Sequence, residues 1–218
     1  MASKSKRNKT KFKITKELIF LISFLAVIII ATIVLSIPSA NARSLDRINT
    51  AITQYNTENS TSYSTLPKKN CFKELSNSSN YDTVVDKLVD AKSSSEYTYF
   101  VYGLLTNSTF LEQLSVINTK AETYEVENVY IFYATYVKEA EDEATTDTLS
   151  YKNKISEYEG KINSDVDKDI KSFELAKYPA ILVFKDGKLV FNSQVGNDSS
   201  EYSWSIYVNQ ALSIAKRS

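Results

Sequence analysis

The stretch KYPAILVFKDGKLVF, Lys177–Phe191, has the pattern of a proline followed by a β-hairpin. Ala180–Phe184 is apolar at every position, which is typical of a strand with both faces covered, because a half-exposed strand alternates apolar and polar residues. Asp186 and Gly187 follow, and this dipeptide readily adopts the positive φ angles of a tight two-residue turn. The hairpin therefore predicts a sheet that is buried between two layers.

The rest of the chain alternates helix-like and strand-like segments. Apolar residues recur at helical spacing in three segments, and two runs rich in aromatic and β-branched residues are typical of strands. The predicted elements are a helix over Tyr81–Ala91, a strand over Tyr97–Tyr102, a helix containing Phe110, Leu114, Ile117 and Ala121, a strand over Val129–Val137, a charged helical insertion at about 138–176, the hairpin, and a last helix containing Trp204, Val208, Ala211 and Ala215. Thr109 and Glu112 fit a capping box at the start of the second helix. This order predicts the α/β class, with a central mixed sheet and helices on both faces.

The N-terminus has the pattern of a membrane segment. A basic head at residues 1–17 precedes Leu18–Ile37, which is twenty residues without a charge. A helix of that length spans roughly 30 Å, the thickness of the hydrocarbon core of a bilayer. The basic head predicts a cytoplasmic N-terminus and an extracellular domain. Ala40-Asn41-Ala42 also fits a signal-peptidase site, so either an uncleaved transmembrane anchor or a secreted domain cleaved after Ala42 is expected.

Residues 38–70 are expected to form a tether between the membrane segment and a folded domain at 71–218. Eleven of the seventeen residues in Asn49–Thr65 are Ser, Thr or Asn. Such a composition offers few apolar side chains to bury and is typical of a flexible segment.

Composition excludes several functions. Residues 1–17 hold seven of the 26 basic and one of the 26 acidic residues, so the remainder carries 19 basic and 25 acidic residues and is a poor match for nucleic acid. The chain has no histidine, which excludes Ser-His-Asp catalysis and histidine-based metal sites. Asn163, Asp165, Asp167 and Glu174 have the spacing of a calcium loop, but Lys168 occupies the position that requires glycine, so a solvated turn is favoured over calcium. Neither a metal nor a cofactor is predicted.

The proline before an apolar strand, the Asp-Gly hairpin and the final amphipathic helix resemble the bacterial thioredoxin-like family over residues 81–218. FVYGLLTNSTF, Phe100–Phe110, resembles the segment that leads into the Cys-x-x-Cys motif of that family. Asn107 and Phe110 stand where the two cysteines would be, with Ser108 and Thr109 between them. Dithiol exchange needs one thiolate to attack and a second to resolve the mixed disulfide, so the resemblance implies a degenerate, redox-inactive member rather than an enzyme.

The resemblance also implies a binding groove. In such proteins an extended polypeptide lies between the motif loop and the residue before a cis proline, which predicts a cis Tyr178-Pro179 bond here. The implied walls are Asn107, Ser108, Thr109 and Phe110 on one side and Tyr178 and Pro179 on the other. Phe110 could instead pack into the core as the first apolar position of its helix.

Three functions follow as alternatives. The first is a membrane-tethered module that binds a protein or peptide in the cell envelope. The second is a monothiol protein acting through Cys71, the chain's one cysteine, although a partly buried and inert thiol is the simpler interpretation. The third is a structural envelope protein without a ligand.

Overall fold

The structure is a computed structural model of residues 1–218, and it describes residue 23 and residues 40–75, 81–135, 148–196 and 204–217. The chain divides into two compact units, residues 1–39 and residues 40–218. The predicted cytoplasmic head, and the membrane segment apart from Ser23, lie outside the described residues. No helix within the described ranges is long and apolar enough to cross a bilayer.

The described part of the second unit contains five α-helices and five strands. In chain order they are α1 (Ala40–Asn59), β1 (Phe72–Glu74), α2 (Tyr81–Lys92), β2 (Thr98–Gly103), α3 (Ser108–Tyr124), β3 (Val129–Tyr133), α4 (Thr148–Ile162), β4 (Ala180–Lys185), β5 (Lys188–Asn192), a 3-10 turn (Ser193–Gly196) and α5 (Trp204–Arg217). The predicted elements that fall in the described ranges are confirmed to within a few residues, with two exceptions. β3 ends before Ala134, and among the described residues of the predicted helical insertion at about 138–176 only Thr148–Ile162 is helical. Two further elements, α1 and β1, were not predicted.

The five strands form one mixed sheet in the order β1-β3-β2-β4-β5. β1 and β2 pair in parallel with β3, whereas β4 pairs antiparallel with β2 and β5 pairs antiparallel with β4. All six residues of β2 are buried. The predicted α/β class with a mixed sheet is therefore confirmed, and the architecture is compatible with the thioredoxin-like fold that the sequence resembles.

Helices cover both faces of the sheet. One apolar cluster packs α1, α3 and α5 against side chains such as Val101, Ile131 and Val183. The other packs α2 and α4 against Phe100, Phe184 and their neighbours. The two clusters use alternate residues of β2 and β4, because successive side chains of a strand point to opposite faces.

The hairpin turn is as predicted. Asp186 has φ 52° and Gly187 has φ 79°, the left-handed values that a tight two-residue turn requires. Both turn residues are also fastened to the end of α2: the Gly187 N–H donates to the Lys92 carbonyl at 3.1 Å, and the Asp186 N–H donates to the Ser94 carbonyl at 3.2 Å.

The tether predicted at 38–70 is wrong over its described part. Ala40–Asn59 is a helix, and its residues Ile48 and Ile52 are 1% and 0% exposed in the core, together with Leu66 at 4%. The two isoleucines lie four residues apart and so occupy one face of the helix. A few well-spaced apolar side chains are enough to dock this segment, although its overall composition is polar.

Asparagine side chains hold the segment after α1. The Asn49 amide accepts from the Leu66 N–H at 2.8 Å and donates to the Leu66 carbonyl at 3.0 Å. The Asn56 amide accepts from the Tyr63 N–H and donates to the Tyr63 carbonyl, each at 2.9 Å. The amides substitute for a strand partner, so the Asn-rich composition satisfies the backbone here instead of leaving it flexible.

The insertion helix α4 is fixed to α2 by polar contacts. The Lys92 ammonium, 2% exposed, donates to the carbonyls of Lys161 and Ile162 and to the Ser164 hydroxyl at 2.8–2.9 Å. The Tyr158 hydroxyl donates to Asp82 at 3.0 Å. Burial lowers the pKa of Lys92, and its three acceptors satisfy all three ammonium protons, so a charge near the core is offset by hydrogen bonds.

We expect Ile52→Ala to lower the free energy of unfolding by about 2–4 kcal/mol, because it leaves a cavity in the core. Urea denaturation of a chain of residues 40–218 measures the change. Thr53→Ala is the matched control, because the Thr53 side chain is exposed on the same helix. Equal stability of Ile52→Ala and the unaltered chain would show that α1 does not pack against the core and would support the predicted flexible tether.

Candidate functional site

The two predicted walls lie at the same end of the sheet. The register pairs Tyr102 with Ala180, so the chain leaves β2 beside the point where it enters β4. The loop after β2 leads to Asn107 and α3, and Tyr178-Pro179 directly precedes β4. The antiparallel pairing therefore brings together the segments that the sequence assigned to one groove.

Asn107 begins helix α3. Its backbone is extended at φ −90° and ψ 120°, and its side-chain oxygen accepts from the Phe110 N–H at 2.9 Å. The predicted capping box at Thr109 and Glu112 is therefore wrong by two residues. Asn107 is a favoured N-cap residue because its oxygen satisfies an amide that the first turn leaves unpaired. Asn107, Ser108 and Thr109 remain half-buried.

Phe110 is a core residue. Its side chain is 2% exposed and packs with α3 and the sheet. A Cβ added at Gly103 would lie within 2.8 Å of three carbons of the Phe110 ring, so the glycine at the end of β2 makes room for the aromatic ring. Of the two alternatives for Phe110, the structure selects packing, and its ring supplies no wall of a groove.

Tyr178 and Pro179 are the residues of the other predicted wall. The Tyr178-Pro179 bond is cis, as predicted. Pro179 is buried, while Tyr178 is half-buried and its ring lies 6.3 Å from the buried Tyr102 ring in an edge-on arrangement. Among the described residues, no hydrogen bond outside the sheet reaches the Tyr178 main chain.

Sequence reasoning missed the residues behind this wall. Glu159, Asn163 and Gln194 hydrogen-bond to the main chain of the segment that precedes Tyr178. Asn163, which has the spacing of a calcium ligand in the sequence, hydrogen-bonds to the Phe173 main chain. Single polar residues on an insertion or in a short turn carry no recognisable pattern, so no signal in the sequence indicates this role.

Cys71 lies at the opposite end of the sheet. It lines a cavity of about 440 Å³ at the start of β1 and β3, whose lining includes Lys69, Lys73, Asn118 and Glu122. The thiol is 8% exposed, and burial raises the pKa of Cys71 to about 12. Because the thiolate is the reactive form, a buried thiol with this pKa is a poor nucleophile at neutral pH.

No protein-family model matches this chain, no curated protein matches it, and no solved structure matches it. The candidate site therefore has to be judged from its own geometry. That geometry combines a half-buried aromatic side chain, a cis proline directly after it and the N-terminal turn of α3.

We expect Gly103→Ala to lower the free energy of unfolding by about 1–3 kcal/mol, because the new methyl group overpacks the Phe110 ring. Thermal or urea denaturation measures the change. Gly160→Ala is the matched control: Gly160 is exposed in α4 with nothing within 4 Å of an added Cβ, and the substitution is expected to stabilise by roughly 0.5–1 kcal/mol. The same effect at both glycines would contradict the packing of Phe110.

We expect native Cys71 at pH 8 to react with a thiol reagent at least about 100-fold more slowly than in urea, because its thiolate is suppressed and its sulfur is covered. The native rate should rise with pH until the pH approaches the raised pKa. Ser64→Cys in a Cys71→Ser background places a thiol at an exposed position and serves as the control. If native Cys71 reacts with the reagent as fast as this control thiol, the result would support the monothiol alternative.

Proposed function

We propose that this protein is a membrane-tethered, redox-inactive module of thioredoxin-like fold that binds an extended polypeptide in the cell envelope. The groove lies between the loop that ends at Asn107–Thr109 and the wall formed by Tyr178-Pro179. The observation that carries the proposal is the pairing of Tyr102 with Ala180, which brings these two segments to one end of the sheet.

Main-chain recognition accounts for binding without thiols. An extended peptide can hydrogen-bond to the N–H and C=O groups of Tyr178, and such bonds do not depend on the side chains that replaced the cysteines. The Tyr178 ring adds aromatic surface of the kind that is enriched at binding hot spots. The Asn107 side chain caps α3 and thereby fixes the loop before the helix. Its contribution to the groove is therefore to hold the shape of that wall.

The monothiol alternative is the weaker one. Cys71 lies at the other end of the sheet from the groove, and its raised pKa and burial oppose nucleophilic attack. Disulfide exchange at the groove would need thiols that the chain does not carry there. The proposed activity is therefore binding, not catalysis.

The proposed location follows from the N-terminal pattern. Residues 1–17 remain cytoplasmic, Leu18–Ile37 anchor the chain, and the domain faces the outside, where it is secreted if cleavage follows Ala42. The anchor would keep the groove close to polypeptides at the cell surface.

Peptide binding tests the proposal. Peptides selected from a display library against the full chain in detergent should bind with an affinity that Tyr178→Ala weakens by roughly 1–3 kcal/mol, which is about 5- to 150-fold in Kd. Fluorescence anisotropy measures each Kd, and circular dichroism checks the fold.

Tyr124→Ala is the matched control, because Tyr124 is a half-buried tyrosine at the far end of α3. It should leave Kd unchanged. Peptides whose affinity falls with Tyr124→Ala but not with Tyr178→Ala would place the binding site elsewhere. Failure to select any peptide would favour the structural envelope protein without a ligand.

A further inference from the structure

The segment before Tyr178 has an unusual set of hydrogen bonds. Residues 171–179 lie outside the helices and strands, and none of the strands in the described part of the chain pairs with this stretch. Side chains satisfy most of it instead, and they come from β2, α4 and the residue after it, β5 and the 3-10 turn.

Three successive amides donate to three side-chain oxygens. The pairs are Phe173 N–H to Asn163 Oδ1 at 2.8 Å, Glu174 N–H to Gln194 Oε1 at 2.9 Å, and Leu175 N–H to Glu159 Oε1 at 2.7 Å. Glu159 belongs to α4, Asn163 directly follows α4, and Gln194 lies in the 3-10 turn. Burial raises the pKa of Glu159, which is consistent with a carboxyl group held against the domain.

The carbonyls of the same stretch accept from side chains as well. The Asn192 amide donates to Lys171 and Ser172, the Asn163 amide to Phe173, the Gln194 amide to Glu174 and Lys177, and the Tyr102 hydroxyl to Leu175. Gln194, Asn192 and Tyr102 are all buried. A buried side-chain amide that makes several such bonds holds its partners at fixed positions, because leaving any of them unpaired is costly.

The insertion helix that carries Glu159 is itself anchored. The Lys92 ammonium binds the last carbonyls of α4, and Tyr158 and Ile162 of α4 are buried in the core. α4 is therefore connected rigidly to the sheet on one side and to the segment before Tyr178 on the other.

We infer that α4 and the 3-10 turn position the Tyr178-Pro179 wall, so that an extended polypeptide meets a preformed groove whose available main chain begins at Tyr178. The inference rests on the proposed function and assigns Glu159 and Gln194 as positioning residues for it. A preformed wall avoids the entropic cost of ordering a loop when the ligand binds. Loosening the segment therefore lowers the affinity for the ligand without removing any contact to it.

The test compares Glu159→Leu, which removes the acceptor for Leu175, with Glu159→Gln, which keeps a side-chain oxygen at the same position. In the full chain in detergent, Glu159→Leu should speed hydrogen exchange of the Leu175 amide about tenfold and raise the peptide Kd about 3- to 10-fold. Glu159→Gln should restore both values to near those of the unaltered chain. Exchange at Leu114, a core position of α3, should stay unchanged, which separates local loosening from global destabilisation.

Gln194→Met provides a second variant should Glu159→Leu fail to fold, and it should speed exchange at Glu174. Unchanged exchange at Glu174 and Leu175 would overturn the inference. An unchanged Kd in a loosened variant, while Tyr178→Ala still weakens binding, would overturn the inference and leave the proposed function standing. If Tyr178→Ala leaves the Kd unchanged, the peptide does not bind at the proposed groove, and both the proposed function and this inference are overturned.

Discussion

The antiparallel pairing of β2 with β4 is the constraint on which the rest of this domain depends. β2 is the central strand, and all of its residues are buried, so its two neighbours and the helices on both faces are arranged around it. The pairing of Tyr102 with Ala180 also joins two segments that are 78 residues apart in the chain. Parallel pairing with β3 alone would leave the Asn107 loop without the Tyr178 wall beside it.

The same pairing explains why the insertion matters. β3 ends, and β4 begins, at the end of the sheet where β2 also ends, and the chain between β3 and β4 contains α4. Because the last part of this connection is held by Glu159, Asn163 and Gln194, its path depends on side-chain amides and a carboxylate as well as on apolar packing. Polar networks of this kind specify one arrangement, since a partly satisfied network is costly in a region of low dielectric.

Redox chemistry and the binding that we propose have physically independent requirements. Redox chemistry needs two sulfur atoms at one place, whereas pairing with an extended chain needs only exposed main-chain groups and a fitting surface. Asn107 now caps α3, and Phe110 fills the space that Gly103 leaves. The positions that correspond to the motif therefore support the fold, and the proposed binding falls to Tyr178 and its neighbours.

The sequence by itself determined the α/β class, the hairpin with its Asp-Gly turn, the helices α2, α3 and α5, and the cis Tyr178-Pro179 bond, because periodic apolar residues, turn dipeptides and family resemblance are visible along the chain. Only the tertiary structure decided the rest. Burial of Ile48 and Ile52 docks a helix of polar overall composition onto the core, and Phe110 is buried as well. Glu159 and Gln194 hydrogen-bond to the segment before Tyr178. Each of these depends on contacts between distant parts of the chain, and local composition does not record which side chain will find a partner.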